Sequence, residues 1–118
     1  MATTVRRVIN RPITLDPKQF AALSAPVAGT LINGTEIVGF DLQRVGLLLF
    51  NAGAANVYYF TKRGTGNNLK GIIPAGAAIN WLPPTAPINS IYALGDAGHD
   101  LRVTETVIRP VVSSEVQV

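Results

Sequence analysis

Cysteine is absent from this chain, so neither a disulfide framework nor a thiolate metal site is open to it. Charge is scarce: 14% of residues are Asp, Glu, Lys or Arg against 47% hydrophobic, and none lies between Gly71 and Gly95. A 118-residue single domain this poor in charge is expected to hide some apolar surface against partners. No stretch reaches the roughly 20 apolar residues of a membrane-spanning helix. The nearest, "VGLLLFNAGAANVYYF" at 45–60, is interrupted by Asn51, Gly53 and Asn56, and the uncharged stretch by Pro74, Pro83, Pro84 and Pro87. The opening "MATTVRRVINRP" has no apolar secretory core, so Asn33-Gly34-Thr35 reads as a turn and not as a glycosylation site. No membrane partner is expected.

The chemistry of catalysis is equally thin. His99 is the single histidine, between Asp96 and Asp100 in "GDAGHD". One imidazole and two carboxylates in one turn, with no second His or Cys, fall short of a zinc site and lack the oxygen spacing of a calcium loop. Asp and Gly are ordinary turn residues, and a turn is the expectation. A serine nucleophile would need the same histidine, and no G-x-S-x-G elbow presents one. "KRGTGNN" sets Lys62 and Arg63 beside Gly64 and Gly66, with Lys70 following, but not in the order of a phosphate-binding loop. A hairpin loop is expected there. No enzyme activity, metal or cofactor is expected. The net charge of +3 and pI near 9.7 suggest nucleic acid, yet the basic residues are scattered and no helix or stripe gathers them. Nucleic acid is not an expected partner.

What the chain does contain is strand and turn. Val45, Val57, Tyr58, Tyr59 and Phe60 favour pleated structure, because branched and aromatic side chains lose rotamer freedom in a helix. Residues 45–50 and 56–61 are therefore read as a hairpin, with Gly53 taking positive φ in the turn. Unbroken apolarity implies strands covered on both faces: Leu47, Leu49, Val57 and Tyr59 in the core, Leu48, Phe50, Tyr58 and Phe60 under a second layer or a neighbour. Asn33-Gly34 marks an earlier hairpin. Asp16-Pro17 offers an N-cap and a first-turn proline, so residues 16–24 are read as the one short helix. Further strands fall at "LKGII", "AAINWL", "INSIYAL" and "LRVTETVI". Short strands at regular spacing with turns between them predict an all-β domain over 16–108, a β-sandwich or jelly-roll-like barrel of about eight strands. Trp81, Tyr58, Tyr59 and Tyr92 could stack on a sugar, but strand aromatics usually fill cores or interfaces.

Two arms flank that domain. Residues 1–15 carry Arg6, Arg7 and Arg11 and no acid, and Pro12 marks an edge strand. Residues 109–118 begin Arg109-Pro110 and alternate around Val111, Val112, Val116 and Val118. An isolated arm cannot bury enough surface to offset about 1–2 kcal/mol of ordering entropy per residue. Each is expected to lie on a surface, and at least one to cross onto another subunit. Arg6, Arg7, Arg11, Arg109, Val111 and Val112 are thus the expected interface residues.

The segments "RVGLLLFNAGAANVYYF", "IIPAGAAINWLPP" and "INSIYALGDAGHDLRVTE" resemble a pattern in small structural proteins of tailed-phage virions. The matching positions are Asn51 and Gly53, Pro74 and Gly76, Ile91 to Ala93, and Leu101 to Val103. The resemblance is to capsid decoration, or cement, proteins. It implies a β-sandwich, often trimeric, that sits on the assembled head, contacts the major capsid protein and is assembled into the virion in the host cytoplasm. A glycan- or receptor-binding module of a phage fibre is the alternative.

Overall fold

The computed structural model describes residues 3–26, 34–61 and 69–117; of these, the side chains of residues 6–26, 34–61 and 69–111 are placed. It is all-β, with two antiparallel sheets that do not close into a barrel. The strands are β1 (Thr3–Thr14), β2 (Lys18–Phe20), β3 (Thr35–Val38), β4 (Arg44–Asn51), β5 (Val57–Phe60), β6 (Leu69–Ile73), β7 (Ala78–Trp81), β8 (Ile91–Gly95) and β9 (Leu101–Gln117). One sheet has the order β1-β9-β4-β7, with β2 also on β9; the other runs β3-β8-β5-β6.

The core is what two stacked sheets with period-2 strands require. Leu47 and Leu49 of β4 and Leu101 and Val103 of β9 meet Ile37, Val57, Ile73, Ile91 and Ala93 from the opposite sheet, each nearly or wholly buried. A fully buried Leu or Ile stabilises by about 1.5–3 kcal/mol, so this layer dominates the fold's stability. β5 is covered on both faces, as its unbroken apolarity requires. Val57 and Tyr59 belong to the central core, while Phe60 is buried with Leu94 under Tyr58, Leu69 and Tyr92 on the sheet's other side. Tyr59 is half-buried, not fully buried as expected, and Phe50 is 37% exposed. On that outer side of β4 no described strand packs, and Leu48 is half-buried.

Three sequence expectations need correcting. Residues 45–60 do form two strands, but β4 and β5 lie in different sheets and do not pair. β5 instead pairs with β6, Val57 opposite Ile73. The loop between β4 and β5 crosses from sheet to sheet around Asn51. Its Nδ2 donates to Ala55 O (2.6 Å) and Ile73 O (2.9 Å), and its Oδ1 accepts from Gly53 N (3.1 Å). Gly53 does not take positive φ; it is needed because a Cβ there would strike the backbone of Gly98 to Asp100. Residues 16–24 contain no helix: Asp16-Pro17 leads into β2, whose Lys18 to Phe20 pair with Val103 to Leu101. A two-turn helix is marginal on its own, and the open edge of β9 offers backbone partners that the helix would forgo. The Asn33-Gly34 hairpin and the "KRGTGNN" loop reach into residues 27–33 and 62–68, outside the described residues.

The two arms are one element. β9 runs through the expected boundary at 108 without a break, and β1 pairs with it from Thr14 opposite Thr106 to Thr3 opposite Gln117. Beyond Ile108 that pair has no third strand among the described residues. The result is a two-stranded ribbon about 30 Å long at about 3.4 Å per residue. It accounts for the extents of 72 × 27 × 20 Å and a radius of gyration of 18.6 Å, where a compact chain of this length has about 13–14 Å.

Candidate interaction surface

The residues with catalytic potential are occupied in holding the fold. His99 is buried; its Nε2 accepts from Leu23 N at 2.9 Å and its Nδ1 lies 2.7 Å from Asp96 O. With Nε2 accepting, the proton sits on Nδ1 and donates to that carbonyl. Asp96 accepts from the Tyr58 hydroxyl at 2.8 Å, and this bond holds the Tyr58 phenol above its ordinary range. Asp100 takes two bonds from Arg102 (2.9 and 2.7 Å) and one from Gln19 (3.1 Å). The Arg102 bonds hold the Asp100 carboxyl below its usual value. The "GDAGHD" segment is a turn, with Gly98 at φ +98°. No three His or acidic groups among the described residues could hold a metal. A cavity of about 210 Å³ lined by Gln19, Phe20, Ala21, Ala22, Leu23 and Thr35 offers no ionisable side chain. Lys70 is exposed, and Lys62, Arg63, Gly64 and Gly66 lie outside the described residues. The aromatics do not form a platform: Tyr59 and Trp81 pack on the core, and Tyr92 stacks on Phe60 with ring centres 5.9 Å apart.

Exposed apolar residues dot the body at Ile72 and Leu82, but apolar and basic side chains are exposed together on the ribbon. In β9 the inward side chains Leu101, Val103 and Val107 are buried by the opposite sheet. Alternation carries that row on to Arg109 and Val111, where the second sheet no longer lies beneath. Residues directly opposite in an antiparallel pair share a face, so Ile13, Arg11, Ile9 and Arg7 of β1 join them. The other face takes Arg6, Val8, Asn10 and Pro12. Arg6, Arg7 and Arg11 are exposed, and Val8 is 70% and Ile9 42% exposed. Arg11 stands directly opposite Arg109, an unfavourable like-charge pair that Asp41 relieves from 3.7 Å on Arg109. The expected interface residues therefore split. Arg7, Arg11, Arg109 and Val111 share one face, Arg6 has the other, and Val112 stands at the register position opposite Val8.

Sequence reasoning missed the foot of the ribbon. Ile108 N donates to Gln43 O (2.8 Å) and Asp41 N to Ile88 O (2.9 Å), which brings residues 39–43 and 88 against the ribbon's base. There Phe40 is 61% and Leu42 67% exposed, with Ile88 beside them at 36%. Arg44 fixes this corner from inside. Wholly buried, it donates to Pro87 O, Gly39 O and Asn89 O, all at 2.8 Å, and to Glu105 Oε1 at 2.9 Å. One guanidinium thus binds both foot loops to β9. Two large apolar residues around an acid in "GFDLQR" were the available signal, since a loop has no core face to bury them.

Both ribbon prolines sit where they cost no ladder bond. Leu15 N donates to Glu105 O across the pair, whereas Ile108 N points away, to Gln43. Counting on by twos, odd residues of β1 bond inward to β9 and even ones face the open edge. Pro12 is even, and Pro110 is likewise on an outward position of β9. No protein-family model, curated protein or solved structure matches the chain.

Proposed function

We propose that the chain is a non-enzymatic structural protein of a phage virion, a capsid decoration protein that attaches to the assembled head and stabilises it. One observation carries this reading: a β-sandwich projects a two-stranded ribbon on which Arg6, Val8, Ile9 and Arg11 are exposed. A lone two-stranded ribbon is marginal in water, and three strands or a covering layer make it stable. An element of this kind suits a protein that reaches over its neighbours. The sandwich would act as a rigid plug, and the ribbon with its apolar foot would lie on the major capsid protein or on an adjacent copy, with a trimer as the expected assembly. The effect on the shell is mass action: a ligand that binds only the assembled state stabilises it by RT ln(1 + L/Kd) per site, L being its free concentration. The occupation of His99, Asp96 and Asp100 by structural bonds supports a role without catalysis.

The test is made on purified particles. The chain should comigrate with intact virions in a gradient, appear as regular protrusions by negative stain, and leave particles that open at lower temperature when stripped. A chain found only in the soluble fraction would sink the reading.

A further inference from the structure

We infer that the open edge of β1, from Thr4 to Asn10, is a docking edge that takes an acidic extended segment of another protein as an added strand. This rests on the reading of the chain as an attachment protein. The even residues of β1 turn their backbone N–H and C=O groups outward, as the bonds of Leu15 and Ile108 fix. Arg6, Val8 and Asn10 therefore show an alternating row of donors and acceptors with no strand beside it among the described residues. Pro12 ends the row of donors at the foot, so the competent stretch is the distal one. Native proteins usually blunt such edges, because a free edge is a template for pairing. Here proline blunts the edges only at the foot, at Pro12 on one and Pro110 on the other, and the distal stretch is marked by charge alone.

Charge selects the occupant. Residues 1–15 carry three arginines and no acid, and they flank Val8 and Ile9 on both faces of the strand. A strand added there places its side chains beside Arg6 and Val8 on one face and Arg7, Ile9 and Arg11 on the other. Carboxylates interleaved with branched apolar residues match both rows. A second copy of this chain matches poorly. Of its seven acidic residues, Asp41, Asp96, Asp100 and Glu105 are engaged with Arg109, Tyr58, Arg102 and Arg44. Its own β1, added edge to edge, would bring arginines to arginines. Nucleic acid matches poorly as well, because phosphates accept hydrogen bonds and would leave the outward carbonyls unpaired.

The test uses the full chain and a nine-residue peptide alternating Glu with Val and Thr, read by amide hydrogen exchange. Saturating peptide should slow exchange at Arg6, Val8 and Asn10 by tenfold or more, with little change at the already bonded Arg7 and Ile9. A peptide with Lys in place of Glu should bind at least tenfold more weakly. Val8→Pro removes one outward donor without touching the ladder, and should cut peptide affinity tenfold while its melting temperature stays that of the parent. The inference is overturned by no added protection with the Glu peptide. It is overturned equally by a dimer in light scattering with these amides already protected, or by tighter binding of a short DNA duplex than of the peptide. Because no particle is involved, a chain that binds the peptide but never attaches to virions would keep this edge and lose the proposed function.

Discussion

From Leu101 to Val107, β9 lies beneath a second sheet with β4 on one side and β2 or β1 on the other; from Arg109 to Gln117 its one partner strand among the described residues is β1. The strand is continuous and its alternation does not change, yet the two halves are held by different physics. In the body each inward side chain displaces water from both itself and a partner across the sandwich. On the ribbon the row's described members, Arg109 and Val111, are only half-buried and Ile9 opposite Val111 is exposed, so the ladder bonds remain while the hydrophobic contribution falls. Strand geometry is thus a property of the segment, while stability is a property of what lies over it.

The largest effect that bears on this contrast is expected at Arg44. Arg44→Ala leaves the Glu105 carboxylate and the carbonyls of Gly39, Pro87 and Asn89 without their donor in a buried site, and should cost about 3–5 kcal/mol in denaturant unfolding. A loss below about 1 kcal/mol would mean that solvent reaches the foot and that the body is less closed than described.

A paired measurement comes next. Leu49→Ala, at a wholly buried position between the sheets, should cost about 2–5 kcal/mol, whereas Val8→Ala on the ribbon should stay within about 0.5 kcal/mol. Equal losses in equilibrium melts would erase the distinction between body and ribbon.

Removing residues 1–11 should leave the circular dichroism of the body in place and shift the melting midpoint only slightly, because no core residue is lost. Under the proposed function the same truncation should weaken attachment to particles, and the attachment of the full chain should weaken with salt, as contacts of exposed arginines do. Unchanged attachment after truncation would remove the ribbon from the interface.

The smallest effect is electrostatic. The folded-state pKa of Asp100 is depressed, chiefly by its bonds from Arg102. Its contribution is therefore present above the unfolded carboxylate value near about 4 and is lost as pH falls through the lower folded value. Asp100→Asn should flatten the fall in stability on the acid side and change nothing at pH 7 to 8 in slope. A steeper acid limb in the variant would contradict the assignment.

The sequence by itself determined the all-β class, most strand positions and the lack of any apolar run long enough for a spanning helix. These follow from short-range causes: branched and aromatic residues on pleated backbone, turn residues between them, and proline where no donor is needed. "LKGII", "INSIYAL" and "LRVTETVI" were legible for that reason. The tertiary structure alone decided which strands meet. Asn51 to Asn56 has the composition of a hairpin turn and serves equally well to cross between sheets; Ile73 and Asp100, far away in the chain, settle it by bonding to Asn51. Residues 16–24 carry a helix start that the edge of β9 overrides. Two arms at opposite ends of the sequence become one ribbon, and an arginine inside an apolar run becomes the buried clasp of its foot. Pairing and burial depend on groups tens of residues apart, and no local pattern encodes the partner.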